Sequence, residues 1–164
     1  MRWMRERLNK EEGFTLIELM VVVLIIAILV AIAIPSFLGF RSRAQDRSVQ
    51  VDLRNVLLAE KGFFIDNVAF TATASDLQSF EQSITLDSAG LVGVDVTLVT
   101  TASPVGVCLI RISDSGNSFA IFEDSTASGG TFYRATASGT TLTCPTATGA
   151  GTPTGWQTGK FPAA

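Results

Sequence analysis

Residues 13–40 read GFTLIELMVVVLIIAILVAIAIPSFLGF. From 19 to 34 every side chain is apolar, and Glu18 is the one ionisable residue in the stretch. A helix of about 20 predominantly apolar residues crosses a bilayer, so the length suffices. In water such a β-branched and Leu-rich run is ambiguous between strand and helix. In lipid only the helix satisfies its own backbone, which decides for helix. Near the far end Pro35 removes one backbone donor and Gly39 weakens a turn, so a helix break, seen as a bend or a locally loosened stretch, is expected there.

Working outward, residues 1–13 are short and charged, with Arg2, Arg5, Arg7 and Lys10 ahead of Glu11-Glu12-Gly13. This has the character of a targeting leader. Beyond residue 41 the pattern becomes an amphipathic helix with Ala44, Val49, Leu53, Val56, Leu57 and Phe64 on one apolar face. A single helix over 14–64 would be ~75 Å long, more than any bilayer, so its second half must leave the membrane and carry a packed domain. Gly62 is a weak stop signal, and Asn67 with the Thr/Ala stretch after it ends the periodicity. Ser75-Asp76-Leu77-Gln78 has the form of a capping box, opening a short helix to about Gln82.

After Gly90 come short Val-, Ile-, Thr- and Phe-rich runs that predict strands over 91–101, 105–113, 118–123, 131–136 and 140–144. Asp114-Ser115-Gly116-Asn117 and Ala137-Ser138-Gly139 supply hairpin turns, and short connections imply an antiparallel sheet whose apolar face covers the helix stripe. Residues 145–164 are Thr-, Gly- and Pro-rich, an irregular tail pinned by Trp156 or Phe161. The expected fold is α+β: a leader at 1–13, a curved helix over 14–64 (14–40 apolar, 41–64 amphipathic), and a head over 65–164. The two cysteines, Cys108 and Cys144, both lie in this head. A disulfide in an oxidising compartment is the natural reading, worth ~3 to 4 kcal/mol in the chain-entropy model, with two buried thiols as the alternative.

The hexapeptide Gly13-Phe14-Thr15-Leu16-Ile17-Glu18, followed at once by the apolar run, resembles the N-terminal signature of type IV pilins, type II secretion pseudopilins and related prepilins. The resemblance implies cleavage between Gly13 and Phe14 by a membrane-bound prepilin peptidase, which then methylates the Phe14 nitrogen. It also implies an assembly role for Glu18. A proline such as Pro35 marks, in that family, where the helix loosens on assembly, although a second proline common in many pilins is missing here. The partners implied are further copies of the chain, the peptidase, a platform protein and an assembly ATPase. The precursor would sit in the cytoplasmic membrane with its leader inside, before joining an extracellular filament.

Glu18 has its own physics. A carboxylate near the head of a membrane helix needs compensation. Before cleavage the Phe14 nitrogen is an uncharged amide, and afterwards it is a cationic amine at i,i+4 spacing, so cutting creates a counter-ion within the subunit or for a neighbour. The competing reading is an ordinary secretory signal, with Ala31-Ile32-Ala33 as its cleavage pattern and Ile34 as the mature start.

The overall formal charge of -3 and the acidic C-terminal part argue against a nucleic-acid-coating surface. With no histidine, no Cys/His metal set and no phosphate-binding glycine loop, the sequence has the character of a non-enzyme without a cofactor. Asp114, Asn117, Glu123 and Asp124 form a calcium candidate lacking EF-hand spacing, and are more simply solvated turn residues. Pseudopilin, minor pilin and DNA-uptake pilin remain open alternatives, as do motility and adhesion as the filament's use.

Overall fold

The computed structural model describes residues 13–87, 90, 93–100, 104–127, 129–146, 149 and 151–163. The leader up to Glu12 and the start of the strand expected at 91–101 lie outside the described residues. Compact contacts divide the chain into two units, 1–41 and 42–164.

Helix α1, Leu16–Asn67, begins in the first unit and ends in the second. Within the first unit it is apolar and long enough to cross a membrane, and none of its most apolar window is buried. It is helical through Pro35 and Gly39. A proline costs one backbone bond and some crowding, and the bonds on either side hold the helix together.

In the second unit α1 buries Val49, Leu53, Val56, Leu57 and Ala59, a 3.6-residue stripe, while Ala44, expected on it, is exposed. Gly62 does not stop the helix. A Cβ there would come within 2.9 Å of the Phe80 ring, so this glycine serves a close approach. The end comes at Asn67, whose side-chain amide donates to the Phe63 carbonyl (3.0 Å), and at Val68, whose N–H donates to the Phe64 carbonyl (2.8 Å). Val68 adopts φ +53, a left-handed conformation that a β-branched residue adopts only under strain.

Helix α2, Ala74–Gln78, is N-capped by Thr73 without a side-chain hydrogen bond. The capping box expected from Ser75 and Gln78 does not form, because Gln78 Nε2 donates instead to the Ile84 carbonyl (3.0 Å). Strands β1 (Asp95–Thr100), β2 (Pro104–Ile112), β3 (Ser118–Asp124), β4 (Gly130–Thr136) and β5 (Gln157–Thr158) form one antiparallel sheet in sequential order. The expected strand at 140–144 is irregular, and the tail supplies β5 in its place. The turn at 137–139 forms, with Gly139 at φ +85, but opens no hairpin.

Alternation along β2 and β3 divides the core in two. Val107, Leu109, Phe119 and Ile121 face the α1 stripe and Phe161. Cys108, Ala120 and Phe122 face Phe132, Leu142 and Trp156. The sheet is therefore covered on both faces, by α1 on one and by the segment after β4 on the other. The Cys108–Cys144 disulfide (Cα–Cα 5.8 Å, sequence separation 36) fixes the second layer. This explains the missing strand: Cys108 lies on β2, two strands in from β4, so a chain leaving β4 to reach it must cross the face and cannot pair at the edge.

Candidate functional site

The N-terminal site is a helix start. Phe14 and Thr15 are outside the helix, and Thr15 caps it: its backbone N–H and hydroxyl both donate to Glu18 Oε2 (2.9 and 2.7 Å), and the Glu18 N–H donates back to Thr15 Oγ1 (3.3 Å). This is a reciprocal capping box, with Thr15 at the cap and Glu18 at the third helical position. In the uncut chain the helix begins two residues after Phe14; the i,i+4 relation to Glu18 is the expectation for the cut terminus. In the uncut chain Glu18 already has a partner, and Thr-x-x-Glu was the sequence signal for it. A carboxylate in the first turn also meets the positive end of the helix dipole.

From Phe14 to Phe40 the large side chains are open, Phe14 at 82% and Phe37 at 67% exposure. A Cβ added to Gly13 would meet no atom within 4 Å, so nothing in the described part of the chain crowds the expected cleavage bond.

The second unit holds its helix by polar clips as well as by apolar packing. Asp46 accepts from the Ser115 hydroxyl and from Asn117 Nδ2 (3.0 Å), both in the β2–β3 turn. Asp52 pairs with Arg111 on β2, and Lys61 with Glu123 on β3 at 2.8 Å. The hairpin turn 114–117 therefore has a structural role as a tie to α1.

Among the described residues two carboxyls are buried. Asp124 accepts the N–H of Gly149 (2.6 Å) and of Thr126 (2.9 Å), tying the β3–β4 turn to the tail. Burial alone would raise its pKa, but the Gly149 and Thr126 donors outweigh that and hold it below the usual carboxylate range. Glu60 on α1 is completely buried, with Oε2 accepting the Thr71 N–H (3.1 Å) and Oε1 unpartnered among the described residues. Burial pushes its carboxyl up to about 7, with the Thr71 N–H opposing and Asp76 adding to the rise. It was missed in the sequence, although the signal was there: Glu60 follows Val56 at i+4 and Leu57 at i+3 and so falls on the apolar stripe.

Three of the four residues of the calcium candidate have partners elsewhere: Asn117 donates to Asp46, Glu123 pairs with Lys61 and Asp124 accepts from the tail. Among the described residues no group of three or more His, Cys, Asp or Glu gathers to hold a metal.

Similarity to known proteins agrees with this geometry. The family described as the prokaryotic N-terminal methylation motif matches residues 8–34. The chain is 31% identical over 114 residues to the type IV wide pilus major component of Thermus thermophilus, covering 70% of this chain and 73% of that protein. It is 41% identical over 68 residues to the type IV major pilin protein of Myxococcus xanthus, 42% of this chain but 31% of that longer relative. It is 31% identical over 78 residues to the type II secretion system core protein G of Escherichia coli, 48% of this chain and 54% of that protein. An exposed apolar helix headed by a capped acid, a disulfide-stapled antiparallel sheet on its second half, and an alignment over most of a pilus component together have one reading: the chain belongs to the type IV pilin family.

Proposed function

We propose that this chain is the structural subunit of a type IV pilus, cut between Gly13 and Phe14 by a prepilin peptidase, N-methylated at Phe14, and polymerised through residues 14–40. One observation carries the reading: the most apolar segment of the chain is exposed throughout, and none of the described residues covers it. Lipid covers it in the precursor. Neighbouring copies cover it in a filament, so the transfer from membrane to fibre costs little hydrophobic free energy.

Cleavage changes the charge at the head of this segment. The Phe14 nitrogen becomes a cation beside a carboxylate that Thr15 has already oriented at the helix start. That carboxylate then has two claims on it, the local cap and an amine, its own or a neighbour's. Register between copies follows if the neighbour's amine wins. Partners on this reading are other copies of the chain, the peptidase, a platform protein and an assembly ATPase. The precursor sits in the cytoplasmic membrane and the product lies outside the cell. Pro35 and Gly39, helical here, are where the helix would loosen on entering the fibre.

A second reading, a secretion-system pseudopilin, draws on the likeness to core protein G, but that match covers 54% of its relative against 73% for the wide-pilus component. The test is mass spectrometry of the mature N-terminus from producing cells. A methylated Phe14 start is expected, whereas a start at Ile34 would mean a secreted domain and overturn the proposal.

A further inference from the structure

Arg41, Arg43 and Arg47 lie within seven residues of Phe40, where the apolar stretch ends. The helical part of that stretch, 16–40, is ~37 Å long, against about 30 Å for the hydrocarbon core of a bilayer and roughly 40–45 Å with its headgroups. The residues that follow therefore emerge at the level of the lipid phosphates. With the leader inside, as proposed above, they emerge on the outer side, where flanking Lys and Arg are disfavoured. Three cations in that place ask for a counter-charge.

The fold supplies none to two of them. In the second unit Arg43 and Arg47 stand at i,i+4 spacing on one face of α1, both exposed, and neither pairs with an acid among the described residues. Asp46 lies between them in the sequence, but each oxygen of its carboxylate already accepts a bond, from the Ser115 hydroxyl and from Asn117 Nδ2 (3.0 Å). Asp52 pairs with Arg111, and Arg54, further along the same row, lies over the Phe161 ring, 5.4 Å from its centre. Beside Arg43 and Arg47 is a cavity of about 280 Å³, bordered also by Asp46 and Gln50 of α1 and by Phe119 and Pro162. Two guanidinium groups and an amide, with the nearby acid already engaged, have the chemistry of an anion site. A planar guanidinium takes two phosphate oxygens at once.

We infer that Arg43 and Arg47 bind the phosphate of an anionic phospholipid at the outer face of the membrane that holds the precursor. A free anion would satisfy the same two groups, but the chain itself brings them to a surface where lipid phosphate is concentrated, and an overall charge of -3 gives no general attraction for anions in bulk. An anionic lipid is favoured over a zwitterionic one, whose own cation competes for the phosphate. Each arginine near an anionic surface strengthens association by about fivefold. The inference rests on the reading of 14–40 as a membrane segment and needs no filament.

The test uses the full uncut chain in vesicles made of equal parts phosphatidylcholine and phosphatidylglycerol, which share the phosphate and differ in net charge. The chain is released with its bound lipid and weighed by native mass spectrometry. Among the retained lipids phosphatidylglycerol should exceed phosphatidylcholine roughly tenfold, and Arg43→Gln together with Arg47→Gln should bring the ratio close to one. Both side chains are exposed, so the head fold is kept, as an intact Cys108–Cys144 disulfide will show. Arg134→Gln should leave the ratio unchanged, because Arg134 is paired with Ala120 across the β3–β4 ladder, on the face of the sheet turned away from α1. Equal retention of the two lipids by the wild-type chain, or a wild-type ratio from the double variant, overturns the proposal and leaves the filament reading standing. An enrichment that excess inorganic phosphate abolishes assigns the pair to free anions and overturns it as well. A chain that stays out of the vesicles removes the membrane reading itself, and this inference with it.

Discussion

The two halves of α1 differ in where their apolar surface is covered. Residues 16–40 form the more apolar half and are exposed throughout, whereas in 42–67 Val49, Leu53, Val56 and Leu57 are 0–6% exposed against the sheet. High hydrophobicity alone therefore does not mean burial within the fold. In the second half the buried apolar residues are spaced on one face, with Asp46, Asp52 and Lys61 beside them to meet Ser115, Arg111 and Glu123. In the first half they occupy every face, the pattern of a segment whose partners lie outside the fold.

If that contrast is right, damage to each half has a different readout. The largest effect is expected from Glu18→Val: insertion and trimming continue, filament yield falls to near nothing, and thermal unfolding of the detergent-solubilised full chain is unchanged. Wild-type filament yield would remove Glu18 from assembly. Leu53→Ala should show the opposite pattern, losing about 2–5 kcal/mol of head stability by calorimetry, while Leu24→Ala in the exposed half loses none.

Glu60 extends the contrast to pH. Its folded pKa is raised to about 7 from 4.5, so its neutral form contributes fully below pH 4.5 and that contribution is lost as pH rises to about 7. The wild-type head should be less stable at pH 8 than at pH 4.5 by about 2–3 kcal/mol from this group, and Glu60→Gln should flatten that slope in chemical denaturation. Asp124 works in the other direction, its lowered pKa giving stability that is lost as pH falls through the acid range. The smallest effect belongs to Val68→Gly, which relieves a left-handed valine and should stabilise the head by about 1 kcal/mol, with no change in trimming.

Much of this was legible in the residues. The apolar run, the amphipathic stripe, β2, β3 and β4 follow from periodicities of 3.6 and 2 that burial imposes directly. The second core was not foreseen, although Phe119-Ala120-Ile121-Phe122 is a continuous apolar run of the kind that a strand covered on both faces produces. The segment 140–144 has strand composition, but the disulfide to a central strand carries it across the sheet, a constraint that no local pattern contains. Gly62 reads as a stop signal only until Phe80, eighteen positions later, comes to rest on it. At the N-terminal site the acid stands out for its position in lipid, whereas its nearer partner, Thr15, emerges from the rules of helix capping and not from charge.

Residues 14–40 should find their cover in other copies of the chain, and electron cryo-microscopy of filaments sheared from producing cells, with the subunit identified by mass spectrometry, can see whether they do. A fibre built from this chain is expected, starting at Phe14, with the 14–40 segments of neighbouring copies packed together in its interior. A fibre of this chain whose 14–40 segments face solvent, or preparations in which the chain appears only as a soluble product beginning at Ile34, would show that the cover lies elsewhere.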